Sequence, residues 1–288
     1  MKTFTRIWIG IGLLAIGIGI CLVLIAIGNG ARLADFSYTS DDIHTVSMDE
    51  SYTGVNSLDF NISYGEVTLE EGDSFHIKAD KLPENELTSY VENGTWMIKE
   101  NKDADIDIFG INISRGALNH WDNNLTPKIT ITVPTGFIAE NLTLDVGAGD
   151  VKADTLSTKN GSFTVNAGKF EVNHLQVSGD SEYNIGAGDM LLKDLQADNI
   201  SVDCGVGNVS IDGVIKGDNS VSVGVGKAEL NLTGNEQDYA YQIDSGIGNV
   251  IINGESYHDT KKHQAGYESA QNRFSLDCGI GNITIDYK

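Results

Sequence analysis

The sequence predicts an all-β protein: a parallel β-solenoid-like stack of about 20-residue repeats, preceded by one N-terminal transmembrane helix. Three observations carry this. Seven near-copies of apolar-x-apolar-Gly-x-Gly-[Asp/Asn/Lys]-apolar-x-apolar are anchored, on their second glycine, at Gly149, Gly168, Gly188, Gly207, Gly226, Gly248 and Gly281. Their spacings are 19, 20, 19, 19, 22 and 33 residues, and a fixed period in the twenties marks stacked-repeat architectures. Apolar residues alternate on both sides of each glycine, as in strands with one buried face. Finally, the chain opens with an uncharged run from Ile7 to Gly28.

That run is 22 residues long, roughly 33 Å as a helix and enough to cross a bilayer. Lys2 and Arg6 precede it and only Arg32 follows closely, so the positive-inside bias puts residues 1–6 in the cytoplasm and the rest outside. A cleaved signal peptide has a shorter apolar core, about 7–15 residues, and a small-residue exit; Gly28-Asn29-Gly30 is a poor one. Ile20 before Cys21 disfavours lipidation. The anchor therefore reads as retained, with Ala15 and Gly19 a small-xxx-small pair that serves as apolar filler.

Residues 36–288 read as one extracytoplasmic domain, irregular over 36–143 and regular over 144–288. Phe60–Leu69 (FNISYGEVTL) reads as an eighth, degenerate copy of the repeat, and Lys128–Gly136 (KITITVPTG) as a strand ended by a Pro-x-Gly turn. Leu82–Gly94 is polar and reads as a short helix or loop, and Asn101–Asn124 is the least patterned stretch. Numbered from the anchor glycine, positions −5, −3, +2 and +4 are the inward columns. A further column at +7 reads Leu156, Leu175, Leu195 and Val214. Each rung thus has about three short strands and three corners. A row of hairpins turning at Gly-Asp and Gly-Asn is the competing arrangement, but it requires neither the third strand nor the +7 column. The last repeat ends at Ile285, which would leave an open strand edge. The long insertion Glu255–Arg273 is the segment able to cover that edge; otherwise the edge is where a partner adds a strand.

All 41 acidic residues lie beyond the anchor, against 17 basic ones (19 less Lys2 and Arg6), a balance of −24. Such a surface repels nucleic acid and anionic headgroups, so nucleic-acid binding is excluded. Cys204 and Cys278 share position −3. If repeats stack in chain order about 4.8 Å apart, the two lie three rungs and roughly 14 Å from each other, too far for a disulfide. Both read as small buried hydrophobes.

The N-terminal anchor, the ITITVPTG strand and the serial turns LDVGAGDV, VDCGVGNV and LDCGIGNI together resemble the bacterial putative-adhesin domain family, LiaG-like and related to the toast-rack domains of envelope-stress proteins. The resemblance covers roughly residues 40–288. It implies an extracytoplasmic β-solenoid-like domain serving surface adhesion or envelope-stress signalling, with no residue-level site to carry over.

Position +1 would be the calcium column of a Gly/Asp turn array, but it reads Asp150, Lys169, Asp189, Asn208, Lys227, Asn249 and Asn282. Lysine there conflicts with a cation and fits a charge-relieving ladder. Asp277 with Asn282 is the one isolated alternative. His258 and His263, with Glu255 and Asp259, could form a surface metal site, against which stand Lys261 and Lys262. His44, His76, His120 and His174 read as scattered and unpartnered. No nucleophile elbow, HExxH, P-loop or Cys-His framework occurs. Asp145, Asp203, Asp244 and Asp277 recur at the same outward slot, −4, and read as structural. No catalytic, cofactor or metal residue is assigned. The expectation is a single-pass cell-membrane protein presenting a non-enzymatic binding or scaffold surface to an envelope protein or cell-surface ligand. A polysaccharide-acting enzyme and a purely structural spacer are the alternatives.

Overall fold

Each Gly-x-Gly repeat becomes one rung of a stack whose alternating side chains point into a shared core. The computed structural model describes residues 45–83, 87–100, 105–108, 111–114, 126–267 and 269–288; the helix expected over 7–28 and its tail at 1–6 lie outside them. Among the described residues no helix is long and apolar enough to cross a membrane.

In chain order the strands are β1 (Thr45–Tyr52), β2 (Ser57–Gly72), β3 (Phe75–Pro83), β4 (Leu87–Glu92), β5 (Thr95–Glu100), β6 (Asp105–Ile108), β7 (Ile111–Ser114), β8 (Lys128–Pro134) and β9 (Ala139–Val177). There follow β10 (Ser181–Asp198), β11 (Ile200–Lys216), β12 (Asp218–Leu232), β13 (Tyr239–Ser245), β14 (Asn249–Ile252), β15 (Glu255–His258), β16 (His263–Gly266) and β17 (Asn272–Tyr287). β6 and β7 form a separate antiparallel pair.

The stack runs β2, β9 (two rungs in one continuous strand), β10, β11, β12, β17, then β13 with β14, all in parallel. Anchor pairs with anchor: Gly65 with Gly149, Gly168 with Gly188, Gly188 with Gly207, Gly207 with Gly226, Gly226 with Gly281. Phe60–Leu69 is therefore a true rung. The anchors from Gly65 to Gly226, with Gly281, have φ between +130° and +150°. A Cβ at Gly207 would stand 1.8 Å from the Gly188 carbonyl oxygen, so only glycine turns this corner at rung spacing.

Positions −5, −3, +2 and +4 are buried at every rung from Gly149 on. Phe163 stacks on Tyr183 with centroids 5.1 Å apart and planes at 11°. Leu156, Leu175 and Leu195 form the third-arm column, but Val214 does not extend it. Gly213 pairs with Leu195, and Val214 falls opposite Gln196. The β11 rung is one residue shorter there, so Ile215 enters the core and Val214 is only half-buried.

Both ends of the stack are covered. On β2, the first arm pairs with β5 (Phe60 to Ile98) and the second with β8 (Val67 to Ile129), in parallel. β3 and β1 then add antiparallel strands to β8. Leu87–Glu92, expected as helix or loop, is the strand β4, antiparallel to β5. Its Ser89 hydroxyl accepts the indole N–H of fully buried Trp96 at 3.0 Å. Trp96 sits among Tyr52, Phe60 and Phe75, 5.1–6.1 Å away, an aromatic plug that polar periodicity in the facing strand did not announce.

At the other end, spatial order departs from chain order. The last repeat, β17, lies between β12 and the sixth repeat, β13 with β14. The edge rung is therefore the sixth, and the insertion does cover it: β15 pairs antiparallel with β14, and β16 with β13. Ser245, the polar member of the −3 column, is buried there and its hydroxyl accepts the Thr260 N–H at 3.2 Å. Cys204 and Cys278 are consequently two rungs apart, flanking Val223, rather than three. Both are buried free thiols, pushed above the usual thiol range first by burial.

Candidate functional site

Outward positions also form columns. At +1, Asp189 lies between Lys169 and Asn208, and the Asn208 amide donates to its carboxylate at 2.8 Å. Lys169 and Lys193 converge on Glu171 at 2.8 and 2.6 Å and hold its carboxyl down at about 2. Lys227 and Glu229 pair likewise. This column is a charge-relieving ladder.

At −4, Asp203 faces Asn184 and Ser222 across the strands, Asp145 faces Asn61, and only Asp277 and Asp244 are side by side. Burial raises the Asp145 carboxyl above its usual range. Of the histidines, His76 and His174 do have partners: His76 bonds Ser51 at 3.0 Å with Asp49 at 3.4 Å, and His174 bonds Asp194 at 3.1 Å. His44 and His120 lie outside the described residues. Among the described residues no three His, Cys, Asp or Glu side chains converge as a metal-holding group, and His258 and His263 fall on separate strands, β15 and β16.

The middle residue of Gly-x-Gly points outward and grows along the stack: Ala148, Ala167, Ala187, Val206, Val225, Ile280, Ile247. The last four are 44–78 % exposed, an apolar ridge on the corner.

A large concavity lies on another face, over the first arms of β11, β12, β17 and β13. It is a groove of about 980 Å³ whose far end is formed by β16 and Tyr267. Its floor carries two outward columns. At −6 are Ser201, Ser220, Ser275 and Gln242; at −8 are Asn199, Asp218, Arg273 and Ala240, continuing Asp180 of the preceding rung. Hydrogen bonds fix these positions. Asn199 donates to Asp180 at 3.1 Å and accepts the Asp218 N–H at 3.0 Å. Buried Asn219 accepts the Ile200 N–H at 3.0 Å and donates to the carbonyls of Gly217 and Arg273 at 3.0 and 3.1 Å. Ser220 donates to Ser201 at 3.0 Å.

None of these residues was singled out by sequence as functional, although position −8 carried the signal: Asn141, Asn160, Asp180, Asn199 and Asp218 recur at rung period. What sequence could not supply is the neighbour order that brings Arg273 beside Asp218. Chemically, the groove offers fixed hydroxyl, amide, carboxylate and guanidinium groups. Its two acids, Asp180 and Asp218, stand in one column with Asn199 between them, not on opposing walls as a glycosidase pair requires.

The chain is similar to several solved structures. One is a putative cell adhesion protein from Clostridium sporogenes ATCC 15579, at 18 % identity over 85 % of this chain and 100 % of that one, TM-score 0.37. Another is a putative adhesin from Bacteroides fragilis NCTC 9343, at 15 % identity over 84 % and 97 %, TM-score 0.41. A third is a putative lipid binding protein from Parabacteroides distasonis ATCC 8503, at 13 % over 84 % and 96 %, TM-score 0.31. No curated protein matches. The model of the Toastrack DUF4097 family matches residues 131–286, more than half of the sequence and nearly the whole run of rungs from β8 to β17, and the chain belongs to that family.

Proposed function

We propose that this is a single-pass cell-membrane protein, anchored by residues 7–28 with residues 1–6 in the cytoplasm and 36–288 outside. The solenoid then serves as a non-enzymatic binding or scaffold surface, adhesin-like or as a cell-envelope stress partner. The observation that carries the binding reading is the groove: polar groups held at fixed positions by their own hydrogen bonds, preorganised for a ligand, without opposed carboxylates. The uncharged run after Lys2 and Arg6, and the −24 balance beyond it, support the topology.

The test uses intact cells making the full chain. A Ser201→Cys variant reacts with a membrane-impermeant maleimide from outside, while Thr5→Cys reacts only after lysis; the native cysteines of the solenoid are buried and stay silent. The reverse pattern sinks the topology. Release of new reducing ends from polysaccharide by the purified chain, abolished by Asp180→Asn or Asp218→Asn, would instead establish the enzyme alternative.

A further inference from the structure

We infer that the groove over β11, β12, β17 and β13 binds an extended, uncharged β-linked oligosaccharide, with successive sugars lying on successive rungs. The inference rests on the reading of the solenoid as a binding surface and adds the ligand's class.

Period is the first reason. Along the stack the groove repeats once per rung, about 4.8 Å, and an extended β-1,4-linked glycan advances by nearly the same distance per sugar. Ser201, Ser220, Ser275 and Gln242 place one polar side chain at every step of that length. An extended peptide does not keep this interval, since it rises only about 3.3 Å per residue.

Hydrogen-bonding chemistry is the second. A sugar hydroxyl both donates and accepts, so it wants a floor that does both. Serine hydroxyls and the amides of Gln242 and Gln264 do so, and their mixture suits no purely anionic or purely cationic ligand. Charge is the third. Arg273 is the only arginine among the described residues, it is exposed, and no ion pair engages its guanidinium there. Asp218 is its register neighbour, so the floor at this point is locally neutral and offers planar donors and acceptors side by side. The acidic domain around it turns away polyanions.

Shape is the fourth. Tyr267 is 43 % exposed at the end of the groove, an aromatic residue of the kind that packs against the C–H face of a sugar. The volume, about 980 Å³, is at the upper end of small-ligand sites and the length is four rungs. The asparagine bonds already described hold the floor before any ligand arrives, which limits the ordering cost of binding.

The experiment is calorimetric titration of the full chain, in a detergent without a sugar headgroup, with cellobiose through cellohexaose and with maltohexaose. Affinity rises with length up to the tetraose, one sugar per rung, and levels off; the α-linked maltohexaose, which coils, binds at least tenfold more weakly. Arg273→Ala and Tyr267→Ala each weaken cellohexaose about tenfold, and both positions are exposed, so the fold is kept. Glu229→Ala, outside the groove, changes nothing. Absence of binding by every oligosaccharide, or binding that ignores both groove substitutions, overturns the assignment. The second arm is retention of the full chain on purified cell-envelope material. Retention lost on Arg273→Ala without cellohexaose binding keeps the binding surface and refutes the glycan; no retention and no glycan binding refutes both.

Discussion

Replacing Gly207 with alanine probes the corner on which the stack depends. The new Cβ would stand 1.8 Å from the Gly188 carbonyl oxygen, and φ at Gly207 is +149°. Ordinary van der Waals contact begins beyond 3.4 Å, so two rungs must separate by well over an ångström at this point or the corner must rotate. Holding alanine at such a φ costs about 1–3 kcal/mol. Displacing the carbonyl from its inter-rung hydrogen bond costs roughly another 1–3 kcal/mol. The total, about 2–6 kcal/mol, is a large fraction of a domain stability of about 5–15 kcal/mol. Gly254→Ala is the control: φ there is +85° but nothing lies within 4 Å of the added atom, so only about 1 kcal/mol of left-handed strain is expected. Urea unfolding followed by circular dichroism ranks the two. Gly207→Ala should lower the midpoint several times more than Gly254→Ala; equal shifts would refute the glycine-corner argument.

Val209→Asp puts a carboxylate into the fully apolar +2 column and should remove about 4–5 kcal/mol or more, abolishing the cooperative melt. Val225→Lys, on the exposed corner ridge, should leave the urea midpoint within about 0.5 kcal/mol of the parent, since that side chain supports no rung. Glu171 is held at about 2, below 4.5, first by Lys169 and then by Lys193. Its contribution is therefore complete above pH 4.5 and lost as pH falls toward 2. Glu171→Gln should flatten that acid limb in an unfolding series across pH. Because the lysines are substantially exposed, the effect is at most about 1 kcal/mol.

Much of the stack was legible because each rung repeats its own physics. Alternation on either side of Gly-x-Gly names the buried residues, and even the degenerate FNISYGEVTL rung was readable from Gly65. What local pattern does not encode is which rung neighbours which. β12 accepts β17 because every rung presents the same inward columns, so a repeat arriving late fits as well as the next in sequence. The 33-residue spacing between Gly248 and Gly281 gives the chain the length to do this. The same blindness put Cys204 and Cys278 a rung too far apart and left the groove unseen, since Arg273 gains Asp218 as a neighbour only through the insertion of β17. Val214 was misplaced for a smaller reason: one residue missing from the third arm of β11 shifts the pattern without breaking it.

The insertion of the last repeat between the fifth and the sixth is what builds the groove, and disulfide trapping tests it most directly. In a background with Cys204 and Cys278 replaced by alanine, Lys227→Cys with Asn282→Cys joins register neighbours at +1, within the distance a disulfide spans. Lys227→Cys with Asn249→Cys joins rungs separated by β17, about 9.6 Å apart at the usual strand spacing and beyond reach. The account predicts rapid oxidation of the first pair and none of the second. Rapid closure of the Lys227→Cys, Asn249→Cys pair, with the other left reduced, would mean that the rungs stack in chain order and that the groove as described does not exist.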